Sequence, residues 1–388
     1  MIRFGFRFIE STDWQGGYNY LLNLCKSLIE YDSDSIQPVI FYPEAISKND
    51  FEPYKDALGK HFICNDKMAK MAIRSRAIKT LVGGCDKVSR DILQSHQVDV
   101  MFENADFYGR SFPIPAVSWI PDFQHRHLQG TFTKRQYWQR EIGFRALFAA
   151  KRPIMVSSHD AKKDCIDFYR LPDSQVHVVR FGVPYISEPE PAARSEVIRK
   201  YELPDDFYFL PNQFWKHKNH LRVVEALHLL KQQGRDVVIA VSGGATNPTC
   251  VASLNEVESR VKELGLESSF RLLGRIPYAD LLCLLTGCKA LLNPSRFEGW
   301  STPIEEAKAF GVNMILSNLP VHNEQVGDAG LFFDPLDIDD MAEKLWQAKT
   351  KFDSKRPEES DLKQRSSERM REFSNQFTAL AQRTFSGQ

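Results

Sequence analysis

Short apolar segments alternate with helical patterns along nearly the whole chain, and this alternation limits the fold more than any other feature. Six segments with the length and residue types of buried strands lie in the first half, at 2–8, 38–43, 98–104, 115–121, 153–158 and 176–182. Six more lie in the second half, at 207–213, 236–244, 270–274, 290–295, 313–318 and 331–334. Strands that alternate with helices form βαβ units and parallel sheets. The sequence therefore predicts an α/β protein with two doubly wound parallel sheets.

The two halves are separated by the segment 186–196, ISEPEPAARSE, which is rich in proline and glutamate. Because proline interrupts a helix, we interpret this segment as a linker. The predicted Rossmann-like domains are then 1–185 and 197–365, and a helical pattern over 366–388 could cross back to the first domain. Open α/β sheets bind ligands beyond the carboxyl ends of their strands, so we expect a site in a central cleft between the two sheets.

Composition argues against several classes of protein. The 50 basic and 50 acidic residues cancel, so we expect no binding to nucleic acid. The seven cysteines are scattered and form no CxxC pair, which is typical of reduced thiols in a cytoplasmic protein. The start, MIRFGFRFIE, has the pattern of a strand rather than of a signal peptide, and no stretch reaches the roughly 18 apolar residues of a membrane span.

One segment, 67–90, carries seven basic residues and one acidic residue, with apolar residues between them. A helix of this kind can pack its apolar face on the sheet. It can also lie on an anionic lipid surface, which would make the protein a peripheral one at the inner face of the cell membrane.

The most informative loop follows the strand at 290–295 and reads RFEGWSTPIEEAKAFG. Thr302, Pro303 and Glu305 have the pattern of a capping box with proline at the first helical position. The helix is therefore predicted to begin at Pro303 and to end at Gly311, a usual left-handed cap. Its N-terminal N–H groups would form a site suited to phosphate.

Two carboxylates flank this predicted phosphate site. Glu298 lies in the loop and Glu306 in the first turn of the helix, and both can accept hydrogen bonds from the hydroxyl pairs of a ribose or a hexose. The alternative is that Glu306 only balances the helix dipole and that Glu298 is solvated.

EGWSTPIEEA closely resembles the Glu-x7-Glu segment of the retaining glycosyltransferase family 4, whose members have the GT-B fold. QGGYNYLLNL, VSSHDAKKD and NLPVHNEQVGDAGLFFDPLD resemble other parts of that family, so the resemblance covers nearly the whole chain. It implies that Glu306 holds the ribose hydroxyls of a nucleotide sugar and that Glu298 holds the donor sugar. The other donor-binding residues of the loop would be Gly299, Trp300, Ser301 and Thr302.

The segment 212–227, NQFWKHKNHLRVVEAL, is predicted to place a basic turn before a helix whose N-cap is Asn219. In the family an arginine and a lysine at such a place neutralise the leaving diphosphate. Lys218 matches the lysine, whereas the uncharged Asn212 stands at the arginine position. Lys216 could supply the missing charge, though without a bidentate fork. A solvated basic helix start is the alternative.

The segment 118–130, SWIPDFQHRHLQG, follows a predicted buried strand. The family usually has a histidine beside an acidic residue here, lining the donor sugar. In this chain Pro121 stands at the histidine position and Asp122 at the acidic one, so Asp122 and His125 are candidate catalytic residues, with His127 nearby. A metal site and a purely structural role for the histidines are the alternatives.

Two glycine pairs follow predicted strands. Gly16 and Gly17 come after the first strand, and Gly243 and Gly244 end another. Glycine lets a diphosphate approach the backbone closely, although a tight turn explains either pair equally well.

These features together predict a retaining glycosyltransferase that moves a hexose from a nucleotide-diphosphate sugar to a hydroxyl of a glycan or lipid-linked acceptor, in bacterial surface polysaccharide or lipopolysaccharide synthesis. Lys218 and the helix N-terminus would stabilise the charge on the phosphate, so we expect neither a metal nor a cofactor beyond the nucleotide-sugar co-substrate. The alternative is a catalytically silent nucleotide-sugar-binding or scaffold protein of the same fold. A nucleotide-sugar epimerase is a nearer rival, and a two-lobed solute-binding protein a more distant one.

Overall fold

The structure, a computed structural model, describes residues 1–69, 84–104, 106–245, 247–352 and 356–387. It divides into two compact units. Unit 1 consists of Met1–Gly182 together with Ser367–Gln388, and unit 2 consists of Val183–Ser366. Residues 70–83, which make up most of the basic segment considered for lipid binding, lie outside the described residues.

Unit 1 is built on a parallel sheet that has, in the described residues, the seven strands β3-β2-β1-β4-β5-β6-β7 in spatial order. The strands are β1 (Ile2–Arg7), β2 (Ile36–Tyr42), β3 (Phe62–Cys64), β4 (Val100–Asn104), β5 (Ala116–Trp119), β6 (Ile154–Val156) and β7 (Val176–Val178). The helices are α1 (Ser11–Tyr31), α2 (Lys48–Leu58), α3 (Asp66–Ala69), α4 (Lys87–Ser95), α5 (Gln124–His127), α6 (Lys134–Ala149) and α7 (His159–Tyr169).

Unit 2 repeats the plan with the six parallel strands β10-β9-β8-β11-β12-β13 in its described residues. They are β8 (Tyr208–Pro211), β9 (Ile239–Ser242), β10 (Phe270–Gly274), β11 (Ala290–Asn293), β12 (Met314–Ser317) and β13 (Gly330–Phe333). Its helices are α8 (Pro191–Lys200), α9 (His220–Gln232), α10 (Pro248–Glu263), α11 (Tyr278–Gly287), α12 (Thr302–Ala309), α13 (Pro320–Val326) and α14 (Ile338–Lys351). A last helix, α15 (Glu359–Ser386), belongs to unit 1 from Ser367 onward.

The strand pattern confirms the α/β prediction, because all twelve predicted segments contain strands of these two sheets. The strand β3 is not among the predicted segments. This strand has only three residues, Phe62–Cys64, and pairs with β2 at the edge of its sheet. It is too short to show an alternating pattern of its own.

The segment expected to be an irregular linker is helical from Pro191 onward, as α8. Proline is tolerated at a helix start, because the first N–H groups of a helix have no partner within it. The helix also has an apolar side, and Val197 and Ile198 pack on the core of unit 2. Packing of this kind fixes a short helix that propensity alone would leave marginal.

The C-terminal helix contributes side chains to the core of unit 1. Phe373 and Phe377 are fully buried, and the ring centroid of Phe377 lies 4.8 Å from that of Phe4 on β1. The spacing of Met370, Phe373 and Phe377 places these apolar side chains on one side of the helix. In the described part of the chain, no helix is both long enough and apolar enough to cross a bilayer.

Candidate functional site

Polar side chains of unit 2 gather beyond the carboxyl ends of its central strands, β8 and β11. The chain runs from β8 outward through β9 to β10 and then returns to place β11 on the other side of β8. Such a reversal of strand order leaves a crevice between the loops that follow the two central strands. This is the place where doubly wound sheets bind ligands.

A lysine and a carboxylate form the centre of this group. Lys218 Nζ lies 2.6 Å from Glu298 Oε1, and the two side chains are only 15% and 9% exposed. The backbone brings them together, because Arg296 N–H donates to the carbonyl of His217 and so joins the loop after β11 to the turn after β8. Ser295 Oγ lies 2.6 Å from the same Glu298 oxygen. Contacts from the segments that follow β8 and β11 therefore hold the Lys218–Glu298 pair in place.

The charge of Glu298 follows from this arrangement. Burial would raise the pKa of its carboxyl, but the positive charge of Lys218, with smaller effects of His217 and His322, outweighs burial and holds the pKa below its usual value. Glu298 is therefore ionised at neutral pH. An ionised carboxylate can only accept hydrogen bonds, so it suits a ligand that presents hydroxyl donors.

Glu306 differs from Glu298 although it lies only eight residues further along the chain. It is buried in α12, and burial raises the pKa of its carboxyl to about 7, against the opposing effect of a hydrogen bond with Tyr278. Near pH 7 the neutral and ionised forms of Glu306 are therefore present in similar amounts. A ligand that donates hydrogen bonds to this carboxyl would favour the ionised form.

The predicted capping box at the start of α12 is wrong. Ser301 is the N-cap, the helix begins at Thr302, and no side chain caps it. Gln325 of α13 fixes this end instead, since its amide accepts from Ser301 N–H and donates to Ser301 O, both at 3.1 Å. It also donates to Glu305 Oε1 at 3.0 Å, which accounts for the glutamate that was assigned to the cap. The predicted end at Gly311 is confirmed by its left-handed φ of 62°.

This contact changes the expected phosphate site. The N–H of Ser301, expected to face the sugar and the diphosphate, instead donates to Gln325. Gly299, Trp300 and Thr302 are half-buried. In the sequence they lie between Glu298 and the remaining residues of α12. They remain the candidate ligand-contacting residues of this loop.

Asn212, at the position where the family arginine was expected, is a buried structural residue. Its Nδ2 donates to Asn293 Oδ1 at 3.4 Å, and the bond joins the ends of β8 and β11. Gly243, at the end of β9, packs so closely that a Cβ there would lie 2.2 Å from the carbonyl oxygen of Asn212. Lys216, by contrast, is exposed in the turn Lys216–Lys218. Lys216 therefore stays a candidate for the missing charge.

Replacing Gly243 by alanine is expected to lower the free energy of unfolding by about 1–3 kcal/mol, because the new Cβ would displace the backbone at Asn212. Urea unfolding of the variant measures this loss. Gly130→Ala is a control for the change of residue type, since a Cβ at Gly130 meets no atom within 4 Å and its backbone is not in the left-handed region. A Gly243→Ala protein as stable as the wild type would contradict the close contact.

Several candidate residues of this site were not singled out in the sequence. Tyr278 bonds to Glu306, and the side chain of Arg275 lies beside Gly244, 3.3 Å from where a Cβ would stand. His322 is fully buried, with its Nδ1 2.9 Å from the carbonyl of Ser317, and burial lowers its pKa to about 4. The signal that could have found them is position, because all three follow strands of the predicted sheet.

Comparison with known proteins identifies the second half of the chain. Residues 180–366 match the family described as glycosyl transferases group 1. This part of the chain resembles the members of that family. The match spans all of unit 2, including Lys218, Glu298 and Glu306.

Similar proteins agree with this family. The chain is 28% identical, over 199 residues, to the O-antigen chain mannosyltransferase B of Escherichia coli. The aligned residues cover 50% of this chain and 51% of that protein. The chain thus spans about half the length of that relative.

Solved structures resemble the whole chain. A glycosyltransferase from Rickettsia africae superposes with a TM-score of 0.69 at 16% identity, covering 98% of this chain and 96% of that one. Anabaena Alr3699/HepE in complex with UDP gives a TM-score of 0.68 at 15% identity, covering 98% and 99%. These likenesses confirm the predicted GT-B fold with two Rossmann-like domains.

The candidate residues of unit 1 lie outside the segment that matches the group 1 family, and His125 is one of them. It is fully buried, with its Nε2 3.3 Å from Glu141 Oε2 and 3.2 Å from the hydroxyl of Tyr169. Burial lowers the pKa of its imidazole, so it is neutral at pH 7. In this structure His125 is a core residue rather than a catalytic one, because solvent does not reach its ring.

Asp122 and His127 have separate partners. Asp122 Oδ1 accepts from the Gln124 N–H at 2.9 Å and from Arg140 at 2.7 Å. His127 Nε2 lies 2.7 Å from Asp164, whose hydrogen bond raises the pKa of the imidazole. No group of three His, Cys, Asp or Glu side chains in the described ranges could hold a metal ion. The carboxylate of Asp122 is half-buried, and 27% of the side chain is exposed.

Replacing His125 by alanine is expected to lower the free energy of unfolding by about 1–3 kcal/mol, because Glu141 and Tyr169 lose a buried hydrogen-bond partner. Chemical denaturation measures the loss. If His125→Ala unfolded like the wild type but lost activity, the assignment to the core would be contradicted.

Gly16 and Gly17 lie inside α1 rather than before it, and they pack against the ring of Trp14. A Cβ at Gly17 would stand 2.3 Å from Trp14 Cε3, and one at Gly16 would stand 3.1 Å from Trp14 Nε1. These glycines therefore make room for an indole. Their proposed contact with a diphosphate has no further support in unit 1.

Proposed function

We propose that this protein is a retaining glycosyltransferase that moves a hexose from a nucleotide-diphosphate sugar to a hydroxyl of a glycan or lipid-linked acceptor. The observation that carries the proposal is the arrangement of Lys218, Glu298 and Glu306 beside the start of α12, at the reversal of strand order in unit 2. One cation and two carboxylates in different protonation states can bind the three parts of such a donor separately.

Each residue has a role that fits its surroundings. The ribose hydroxyls would donate to Glu306, whose pKa of about 7 falls when hydrogen-bond donors reach it. The sugar hydroxyls would donate to Glu298, which Lys218 keeps ionised. Lys218 itself would neutralise the charge of the diphosphate. Its Nζ lies beside Glu298, and 15% of its side chain is exposed.

The proposed reaction needs charge stabilisation more than it needs a nucleophile. The bond between the anomeric carbon and the phosphate oxygen breaks, and the acceptor oxygen bonds to the same face of that carbon. The acceptor proton passes to the departing phosphate. Negative charge grows on the diphosphate, where Lys218, Lys216 and the N-terminus of α12 would stabilise it without a metal.

The donor sugar and the pathway are further parts of the proposal. The similar O-antigen chain mannosyltransferase B of Escherichia coli supports mannose as the first sugar to test. It also supports a role in assembling a bacterial surface polysaccharide. The UDP in the Alr3699/HepE complex supports a nucleoside diphosphate as the leaving group.

The test is a thermal-shift and donor-hydrolysis screen with GDP-mannose, UDP-glucose, UDP-galactose and UDP-N-acetylglucosamine. One donor should stabilise the protein and be hydrolysed slowly, and Glu306→Gln should lose the stabilisation. Glu343→Gln is the matched control, because Glu343 is an exposed carboxylate on α14. A chain that none of these donors stabilises would contradict the site.

A catalytically silent binding protein is the second candidate, and Asn212 favours it. A buried, hydrogen-bonded asparagine cannot replace the charge of an arginine on the departing diphosphate. Such a protein would be stabilised by a donor but would release no sugar from it, with or without acceptors. Turnover of the bound donor decides between the two functions.

A further inference from the structure

Trp14 is an exposed tryptophan at the start of α1, directly after β1. The residue is 39% exposed, although large apolar side chains of this kind are usually covered. Its backbone (φ −156°, ψ 91°) leaves the helical conformation inside the first turn of α1. A single non-helical residue in that place turns its side chain away from the course that the helix would give it.

The ring of Trp14 is nevertheless held firmly. It stacks on Trp119, the last residue of β5, with ring centroids 5.2 Å apart and planes 18° from parallel. Trp119 stacks in turn on the buried Tyr20 at 4.4 Å and 18°. Gly17 passes so close beneath the indole that it has no room for a Cβ. An exposed ring that is fixed in this way loses little entropy when it binds a flat ligand.

Polar groups occur within the stack and on neighbouring residues of α1. The indole N–H of Trp119 and the hydroxyl of Tyr20 are buried, and neither has a hydrogen-bond partner in the described part of the chain. Gln15 and Asn19, one and two turns along α1, offer amides, with Gln15 Nε2 3.1 Å from Asn19 Oδ1 at the surface. Buried donors without acceptors are rare in native proteins and point to a missing partner.

The stack also lies where a ligand is expected. In unit 1 the strand order reverses at β1, with β2 on one side and β4 and β5 on the other. Trp14 follows the carboxyl end of β1, and Trp119 ends β5. Loops at the carboxyl ends of such strands form the binding crevice of a doubly wound sheet.

We infer that Trp14 is the stacking surface for a sugar ring of the acceptor, with hydroxyl contacts from Gln15 and Asn19. This rests on the proposed function, because the transferase needs a second, hydroxyl-bearing substrate. A pyranose has an apolar C–H face that fits an indole, and hydroxyls at its edge that fit neutral amides. The acceptor is therefore recognised through a carbohydrate part, even where that carbohydrate is attached to a lipid.

The experiment labels the full-length protein with 5-fluorotryptophan and follows its ¹⁹F resonances during titration with mannotriose and, separately, with N,N′-diacetylchitobiose. Trp14→Phe assigns the Trp14 signal. We expect this signal to move with at least one of the two sugars. Trp138 is the control within unit 1, since it is 58% exposed on α6 and its signal should stay unchanged.

Variants then test the aromatic face. Trp14→Ala should raise the dissociation constant of the bound sugar roughly five- to ten-fold, and Trp14→Phe should raise it less, because a phenyl ring keeps part of the stacking surface. Trp138→Ala should leave it unchanged. Thermal unfolding of each variant without sugar shows whether the fold is kept, and the fluorine titration of the wild type needs no variant beyond the assignment.

The outcomes separate this inference from the proposed function. If a nucleotide sugar binds and is turned over but neither sugar moves the Trp14 signal, or the Trp138 signal moves equally, acceptor stacking is overturned and the transferase stands. If the Trp14 signal moves while no nucleotide sugar binds, the sugar site stands as a site and the transferase fails. Equal sugar affinity of Trp14→Ala and the wild type also overturns the inference.

Discussion

Replacement of Lys218 by methionine is expected to lower kcat for sugar transfer about 10²–10³-fold, the loss typical of removing one group that stabilises developing charge. Methionine keeps most of the length and bulk of the side chain but removes the ammonium that lies 2.6 Å from Glu298. The charge growing on the departing diphosphate would then lose its nearest cation. Steady-state kinetics with the donor found by the thermal-shift screen measure the effect.

The removal of Lys218 also affects Glu298, so a second variant is needed. Without the lysine, burial would dominate and the pKa of Glu298 would rise. Glu298→Gln removes the carboxylate and keeps Lys218. If the lysine acts on the diphosphate, Lys218→Met should lose more of kcat for donor hydrolysis than Glu298→Gln does. Lys262→Met, at an exposed position of α10, controls for the loss of a surface charge. A Lys218→Met enzyme with wild-type kcat would contradict the role.

The sheets of this protein could be predicted because their strands are buried on both faces. Segments such as ALLN (Ala290–Asn293) and MILS (Met314–Ser317) are short, apolar and bounded by turns. This pattern is typical of a strand whose two faces are both buried. Helix boundaries were less predictable. Pro191 indicated a linker by composition but begins a helix, because the packing of Val197 and Ile198 decides the outcome and does not appear in local sequence.

The candidate site was predictable in its residues and not in its contacts. The sequence placed Glu298 and Lys218 after different strands, and the order of those strands brings them together. The cap of α12 could not be predicted, because the group that fixes Ser301 is Gln325, which is distant in sequence. Tertiary contacts of this kind replace a local capping box without leaving any periodic signal.

In unit 1, too, sequence position predicted the loop of a residue but not its contacts, as His125 and Gly17 show. His125 has the position of a site residue but is bonded to Glu141, and Gly17 has the position of a phosphate-binding glycine but packs on Trp14. A residue type and its distance from a strand end show which loop it occupies. They do not show whether its side chain faces the core or the solvent, since one residue of shift reverses that direction.

Glu306→Gln is expected to make the protein more stable than the wild type at pH 8, by about 3 kcal/mol, and equally stable near pH 4. The pKa of Glu306 rises from 4.5 to about 7 in the folded protein. The folded state therefore holds a proton that the unfolded state has lost, and stability falls as pH rises from about 4.5 to about 7. Above that window the whole penalty for a buried charge is present. Glutamine is uncharged and avoids it.

Urea unfolding of both proteins at several pH values measures the difference in their free energies of unfolding. The comparison uses this difference because other groups titrate in both proteins. Glu343→Gln, an exposed carboxylate, should show no comparable gain at pH 8. A variant that is less stable than the wild type at pH 8 would show that Glu306 has a compensating partner there.

The same substitution should act in the opposite direction on donor binding. Ribose hydroxyls that donate to an ionised Glu306 would contribute about 1.5–3 kcal/mol, so Glu306→Gln should weaken the donor roughly ten- to a hundred-fold at pH 8. Wild-type affinity should tighten as pH rises through 7, because binding selects the ionised carboxyl. The variant should lack this dependence. A residue that destabilises the free protein and strengthens the complex is one kept for its ligand, and equal donor affinity of the two proteins across this range would show that Glu306 does not hold the ribose.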